Sequence, residues 1–346
     1  MGEQIKVLVV DDSFFMRKLI SDMLSSDPDI KIIDTAKDGE EAVNKAAKLR
    51  PNVVIMDVEM PKMDGLTALR HIMSENPMPV VMLTAMDKIG SDLAVKSFGY
   101  GAVDFVSKPS KPISLDIDKV RDELISKIKA VAEVNVKKME FGTVKKVLIE
   151  KMFVPPPAKK EVLVIGGSTG GSRALSEILP KLHQNFPLAV LIVQHMLKGF
   201  TQPFAERLNL QGSIEIREAE DGDPVKPGLA LLAPAGQHMV VKREDEKVVV
   251  RLNRGALVNN LRPSIDVLMK SAVEIYGGRV IGVLLSGMGK DGAEGLRAIK
   301  DRGGRTIVQD ESTSVIFGMQ KAAVELGCVD SVVHLNEIAT KIMEVL

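Results

Sequence analysis

The sequence predicts an α/β protein made of two doubly wound units, and three features predict it. Apolar runs of four to six residues recur as VLVV (7–10), VVIM (53–56), VVML (80–83), VLVI (162–165), AVLIV (189–193) and VIGVLL (280–285). Segments of helical period separate these runs, which is the pattern of parallel strands covered on both faces. The runs fall into two sets, and Pro155, Pro156 and Pro157 stand between them. Consecutive prolines donate no backbone hydrogen bonds and favour extended geometry, so the boundary reads as a linker. The expected division is a first unit at 1–122, a linker at 123–159 and a second unit at 160–346, with a lysine-rich helical stretch at 121–151 read as a solvated linker helix in preference to a docking surface.

Composition narrows the class. A chain of 346 residues with 45% hydrophobic content can bury two cores. Basic and acidic side chains balance at 46 each, which argues against a general attraction to nucleic acid or anionic lipid. Cys328 is the single cysteine, so an intramolecular disulfide and a cysteine metal cluster are both excluded, as suits a reducing compartment. No run approaches the ~18 apolar residues of a membrane span. The expectation is a cytoplasmic protein with no membrane insertion.

In the first unit, the run at 7–10 ends in Asp11 and Asp12, and the run at 53–56 ends in Asp57. The carboxyl ends of parallel strands meet in one crevice, so these carboxylates converge. Like charges held close need a cation, and oxygen-only ligands favour Mg²⁺. Thr84 follows VVML and Lys108 follows DFVS, adding a hydroxyl donor and an ammonium suited to a phosphoryl group. In order and spacing this set resembles the receiver domain of two-component response regulators over residues 5–122. The resemblance implies a flavodoxin-like fold with a five-stranded parallel sheet and phosphorylation of Asp57 by a histidine kinase. It also implies Mg²⁺ held by Asp12, Asp57 and the backbone carbonyl of Glu59, with Asp11 close by, and Phe105 as an aromatic switch residue.

The second unit opens with VLVIGGSTGG (162–171), a strand running into a glycine-rich turn around Ser168. G-x-S-x-G describes the strained elbow that presents a nucleophilic serine, while glycines after a parallel strand also suit a dinucleotide pyrophosphate. The dinucleotide pattern fails twice. Ser168 stands where its middle glycine belongs, and the next strand ends in His195 rather than in a ribose-binding acid. An imidazole at that edge suits a general base.

Of the five histidines, His71 lies in the first unit, His183 in a helix-to-strand connection and His334 near the C-terminus. Strand-end geometry favours His195 over His238, which follows a Pro-Ala-Gly turn and is read as a hydrogen-bonded structural residue or a lining of the cleft. A serine–histidine pair needs an acceptor, and Asp291, in the glycine-rich loop after VIGVLL, either fills that role or caps the helix that follows. Asp221, Asp223, Asp266 and Asp310 fall in turns or helical segments and are less well placed. Gly287, Gly289 and Gly292 allow backbone N–H groups to approach an oxyanion. The order Ser, His, Asp differs from the Ser, Asp/Glu, His of α/β-hydrolases. Residues 214–253 alternate short strand-like pieces with turns and read as an antiparallel hairpin region inserted in the parallel fold.

The stretches IGGSTGG, VQHM, LAPAGQHM, RPSIDVLM, LLSGMGKDGAEGL and VQDESTSVIFGMQKAA resemble the catalytic domain of the bacterial chemotaxis protein-glutamate methylesterases, the CheB family, over residues 160–346. The resemblance implies Ser168 as nucleophile, His195 as base, Asp291 as orienter and the Met288 backbone N–H at the oxyanion, with Thr169 in the catalytic set. It implies hydrolysis of glutamate γ-methyl esters on methyl-accepting chemotaxis receptors, releasing methanol without a catalytic cofactor, and glutamine deamidation as a second activity. It further implies the histidine kinase CheA as phosphodonor, a monomeric state, and a receiver that covers the active site until Asp57 is phosphorylated. Two other classes compete. One is a response regulator with a binding output, a DNA-binding or an adaptor module, and against DNA the second unit lacks a terminal basic helix-turn-helix pattern; the other is a nucleotide enzyme using GGSTGG as a phosphate loop, which would be indifferent to Ser168→Ala.

Overall fold

Uninterrupted apolar runs become the central strands of two separate parallel sheets. The computed structural model describes residues 3–85, 88–108, 117–132, 134, 136 and 159–346. The chain divides into two compact units, Met1–Thr143 and Val144–Leu346. The triple proline and the lysine-rich residues beyond 136 lie outside the described residues.

The first unit runs β1 (Ile5–Val10), α1 (Phe14–Ser25), β2 (Ile30–Ala36), α2 (Gly39–Leu49), β3 (Val53–Asp57), α3 (Gly65–Glu75), β4 (Val80–Thr84), α4 (Lys88–Phe98), β5 (Asp104–Ser107) and α5 (Ile117–Ala132). Its sheet order is β2-β1-β3-β4-β5, all parallel. This is the flavodoxin-like order, whose chain reversal between β1 and β3 opens a crevice at the carboxyl edge. Short polar side chains start the helices: Asp38 accepts from the Glu41 N–H at 2.9 Å, and Asp64 from the Thr67 N–H at 2.8 Å. Residues 123–132, expected in the linker, instead belong to α5. Leu124, Ile128 and Val131 form a buried stripe on it, and the helix packs on α1, β3 and β5.

The second unit runs β6 (Val162–Gly167), α6 (Gly171–Ile178), β7 (Ala189–Gln194), α7 (Thr201–Gln211), β8 (Glu215–Glu218), β9 (Leu229–Leu232), β10 (His238–Glu244), β11 (Lys247–Asn253), α8 (Ile265–Tyr276), β12 (Val280–Leu284), α9 (Ala293–Asp301), β13 (Arg305–Gln309), α10 (Met319–Glu325), β14 (Ser331–Val333) and α11 (Ile338–Glu344). Seven of these strands form one parallel sheet in the order β14-β13-β12-β6-β7-β9-β8. The chain leaves β6 toward β7 and later returns on its other side at β12, so the switch point lies at the carboxyl end of β6.

The antiparallel insertion is shorter than 214–253. Only β10 and β11 form the hairpin, paired from His238↔Asn253 to Glu244↔Lys247. β8 and β9 instead extend the main sheet in parallel, β8 at its edge and β9 inside it, because LALL (229–232) is buried throughout and behaves as an interior strand. The charged turn residues between β8 and β9 carry a crossover without a helix.

Close approach dictates the glycine at 65 in the first unit. The Gly65 N–H donates to the Val58 carbonyl at 2.9 Å, and a Cβ there would lie 1.9 Å from the carbonyl oxygen of Asp57. Backbone cannot yield as a flexible side chain does, so Gly65→Ala is expected to destabilise the first unit by about 3 kcal/mol or more. Denaturant unfolding of the full chain would register this as an early transition, and an unchanged profile would refute it.

Candidate active site

Main-chain hydrogen bonds carry the sheet's order past the strand ends. The Leu285 N–H donates to Gly166 O at 2.8 Å, the Ser168 N–H to Ser286 O at 3.0 Å, and the His195 N–H to Gly167 O at 3.0 Å. Ser168, His195 and the loop after β12 therefore share one edge. From Val162 to Ser172, Ser168 alone is not buried, and His195 is likewise partly accessible.

Behind them lies Asp291, which is 1% exposed. Its Oδ2 accepts from His195 Nε2 at 3.0 Å and from the Ile265 N–H at 2.7 Å. Its Oδ1 accepts from Ser264 Oγ at 2.7 Å and from Asn259 Nδ2 at 3.1 Å. Burial works to raise this carboxyl, but the His195 hydrogen bond and charge, with the Ile265 N–H and Ser264 hydroxyl, outweigh it and bring the pKa down to about 2. The carboxylate thus both orients His195 and sits at the N-terminus of α8, where the helix dipole favours an anion. The capping role foreseen for Asp291 falls on α8 rather than on the helix that follows it.

That following helix, α9, is capped by Asp266. Asp266 Oδ1 accepts from the Gly292 N–H at 2.9 Å and the Gly295 N–H at 2.7 Å, and Asn259 Nδ2 reaches its Oδ2 at 3.0 Å. Burial pushes the Asp266 carboxyl up against the pull of the Gly295 N–H, and the charge of Asp291 adds to the rise. Asp266, set aside from the sequence as helical, is thus one link from His195. Asp221 pairs with Arg251 at 2.8 Å and Asp223 with Arg217 at 2.6 Å, while Asp310 accepts from the hydroxyls of Ser312 and Thr313. These partners lie away from Ser168, His195 and Asp291 in the hydrogen bonds of the described residues.

The loop after β12 is pressed onto the turn around Ser168. A Cβ on Gly287 would lie 2.7 Å from Ser168 Cβ and 2.3 Å from Met319 Cε, so only glycine lets residues 287–289 pass beside Ser168. Ser286 locks this arrangement from inside. Its hydroxyl donates to Thr169 O at 2.7 Å and accepts from the Val315 and Ile316 N–H groups at 3.0 and 3.1 Å. Met288 is 42% exposed on this loop, and Thr169 is buried beneath it. His238 is buried with both ring nitrogens on backbone: Nε2 faces Ala256 O at 2.9 Å, and Nδ1 accepts from the Ser264 N–H at 3.2 Å. Of its two readings, the geometry favours the structural one over the cleft lining.

In the first unit, carboxylate oxygens of Asp11, Asp12 and Asp57 lie within 4.8 Å of one another. Lys108 Nζ stands 2.8 Å from Asp11 Oδ2 and 2.6 Å from Asp57 Oδ2. Burial raises the Asp57 pKa to about 6 despite Lys108, and the Asp11 charge contributes. The Glu59 N–H approaches Asp57 Oδ1 at 3.4 Å. Three carboxylates against one ammonium, all hard oxygen donors, fit Mg²⁺. Thr84 Oγ1 donates to Ala85 O at 3.1 Å rather than to a carboxylate, and Phe105 is buried against Phe98 with ring centroids 5.5 Å apart.

The family model described as CheB methylesterase matches residues 163–342, and that of the response regulator receiver domain matches residues 7–117. The chain belongs to the CheB methylesterase family. The protein-glutamate methylesterase/protein-glutamine glutaminase of Pyrococcus horikoshii is 44% identical over 99% of this chain and 94% of its own. The protein of the same name from Halalkalibacterium halodurans is 44% identical over 99% of each chain. The crystal structure of the Thermotoga maritima CheB methylesterase catalytic domain aligns with a TM-score of 0.53 at 41% identity, covering 55% of this chain and all of that one. The chain is a methylesterase carrying a receiver domain. Among the described residues, no helix is long and apolar enough to cross a membrane.

Sequence reasoning missed Asn259, Ser264, Asp266 and Ser286. Ser264 carried a signal, since S-x-D ahead of an apolar run marks a helix start. Its hydroxyl receives the Val267 N–H at 3.4 Å.

A depressed native pKa makes Asp291 a stabilising charge above the ordinary carboxylate range, and that contribution drains away as pH falls from about 4 toward 2. The shift from 3.8 to about 2 corresponds to about 2 kcal/mol. The margin in unfolding free energy of the wild type over Asp291→Asn is therefore expected to stay constant from pH 7 to 5 and to shrink below pH 4. A margin independent of pH would contradict the assignment of a buried, ionised Asp291.

Proposed function

We propose that this methylesterase hydrolyses glutamate γ-methyl esters on chemoreceptors with Ser168 as nucleophile, and that phosphorylation of Asp57 raises the activity. The observation that carries the reading is the 3.0 Å contact of His195 Nε2 with Asp291 Oδ2, on the sheet edge that presents Ser168. An ionised carboxylate only accepts, so Nε2 carries the proton and Nδ1 is left as the base.

Nδ1 of His195 takes the Ser168 Oγ proton as Oγ attacks the ester carbonyl. The oxyanion is received by the loop at Met288, whose backbone N–H is the proposed donor, with Thr169 completing the turn. Asp291 stabilises the imidazolium without taking its proton. Collapse expels methanol, which leaves with the proton from Nδ1, and water then releases glutamate from the acyl-serine by the same path. An amide in place of the ester gives ammonia and glutamate, which supports deamidation as a second activity.

In the receiver, Asp57 is the proposed phosphoryl acceptor from the kinase CheA. Lys108 and Thr84 would meet the phosphoryl oxygens, and Phe105 would read out the change. Asp11, Asp12 and Asp57, with the Glu59 carbonyl, would hold Mg²⁺, which when bound neutralises phosphoryl charge. The triple proline is proposed as the linker, and the protein is proposed to act as a cytoplasmic monomer.

Methanol release from methylated chemoreceptor membranes tests both halves. Ser168→Ala should lower the rate about 10⁴-fold or more, and Asp291→Asn about 10³–10⁴-fold. A small phosphodonor with Mg²⁺ should accelerate the wild type but not Asp57→Ala. Methanol released equally by Ser168→Ala would overturn the nucleophile, and equal stimulation of Asp57→Ala would overturn the switch.

A further inference from the structure

Gln194 ends β7 immediately before His195, and it is 1% exposed. Its Nε2 donates to Ser168 O at 2.8 Å and to His195 O at 3.2 Å, so one amide spans the backbones of the nucleophile and the base. Its Oε1 is buried with no hydrogen-bond partner. A buried unsatisfied acceptor is destabilising, so packing alone does not account for the side chain. An apolar residue of the same length would fill the space without the orphan oxygen.

The glycines of the turn make room for that oxygen. A Cβ on Gly167 would lie 2.6 Å from Oε1, and one on Gly171 would lie 2.4 Å from it. Neither glycine has a positive φ, so their backbone conformation does not require glycine. Two of the four glycines in GGSTGG are thus explained by the need to admit the Gln194 amide between β6 and α6.

We infer that Gln194 is a positioning residue for ester hydrolysis, its amide fixing the separation of Ser168 and His195 through their carbonyls. The inference rests on the assignment of Ser168 and His195 above. Without the amide, Ser168 O keeps the Gly171 N–H at 2.8 Å and only the His195 carbonyl, at a partly accessible residue, loses its donor. Stability should therefore change little, while the relative placement of nucleophile and base is loosened. A misplacement of about 1 Å costs about 10²-fold in rate.

The test is Gln194→Met in the full chain, assayed by methanol release from a peptide carrying a glutamate γ-methyl ester, with thermal unfolding measured in parallel and Ser168→Ala as reference. The expected result is a kcat lowered about 10–100-fold, KM within about twofold, and a midpoint within about 4 °C of wild type. If Gln194→Met gives no cooperative transition, Gly171→Ala replaces it, since its Cβ displaces the amide while leaving Gln194 in place, and the same split is required of it. A kcat within twofold of wild type, or a loss matched by the loss of folded protein, would overturn the positioning role. Activity retained by Ser168→Ala would instead overturn the assignment on which it rests.

Discussion

The second unit is organised around one buried negative charge. Asp291 can stay ionised in the interior only because five donors converge on it, one from His195 and the others from residues 259–266. Supplying them fixes the entry to α8, the turn at Asn259 and the ring of His195. The neighbouring helix is bound into the same arrangement, because Asp266, from the first turn of α8, caps α9 while Asp291, just ahead of α9, caps α8. Each helix start is thus satisfied by a carboxylate from the other, and Asn259 joins the two acids. Gly295 lets the helices approach closely enough for this exchange, since a Cβ there would stand 2.7 Å from Met269 Cβ.

The same topological rule yields opposite electrostatics in the first unit. Asp57 also lies at a carboxyl edge beside a switch point, yet its pKa is pushed up to about 6 whereas that of Asp291 falls to about 2. The difference is the donor supply. Asp291 is saturated by short hydrogen bonds, while Asp57 has Lys108, one long backbone contact and the repulsion of Asp11. A saturated carboxylate holds a fixed charge and has no capacity for a ligand. An undersupplied cluster of three carboxylates retains lone pairs and excess charge, which is what a cation or an incoming phosphoryl group needs.

Legibility in the sequence followed burial. The interior strands β1, β3, β6 and β12 each carry an unbroken buried apolar run, at 7–10, 53–56, 162–165 and 280–284, so they stood out. β2 is an edge strand with an interrupted pattern, IKIIDTA, and β13 and β14 are short and flanked by charge, so neither gave a continuous apolar run. Ser168, His195 and Asp291 were legible because strand ends of a parallel sheet converge. Asn259 and Ser286 were not, because a side chain that serves by matching hydrogen bonds follows no period. Asn259 sits at φ 53°, a conformation asparagine tolerates, but from sequence that marks only a turn.

The glycine run after β6 shows why a pattern underdetermines its cause. A phosphate loop needs glycines so that backbone can approach a ligand. Here the space each glycine opens is filled by the protein itself. A Cβ on Gly166 would meet Ile265 at 2.5 Å, and those on Gly167 and Gly171 would meet the Gln194 amide. Gly170 has φ +82°, and a Cβ on it would lie 2.4 Å from Val315. α8, β7 and the loop after β13 therefore crowd the turn on every side except that of Ser168. Dense packing of glycine backbone holds one hydroxyl at the surface of a rigid support, and it removes the volume that a bound pyrophosphate would occupy.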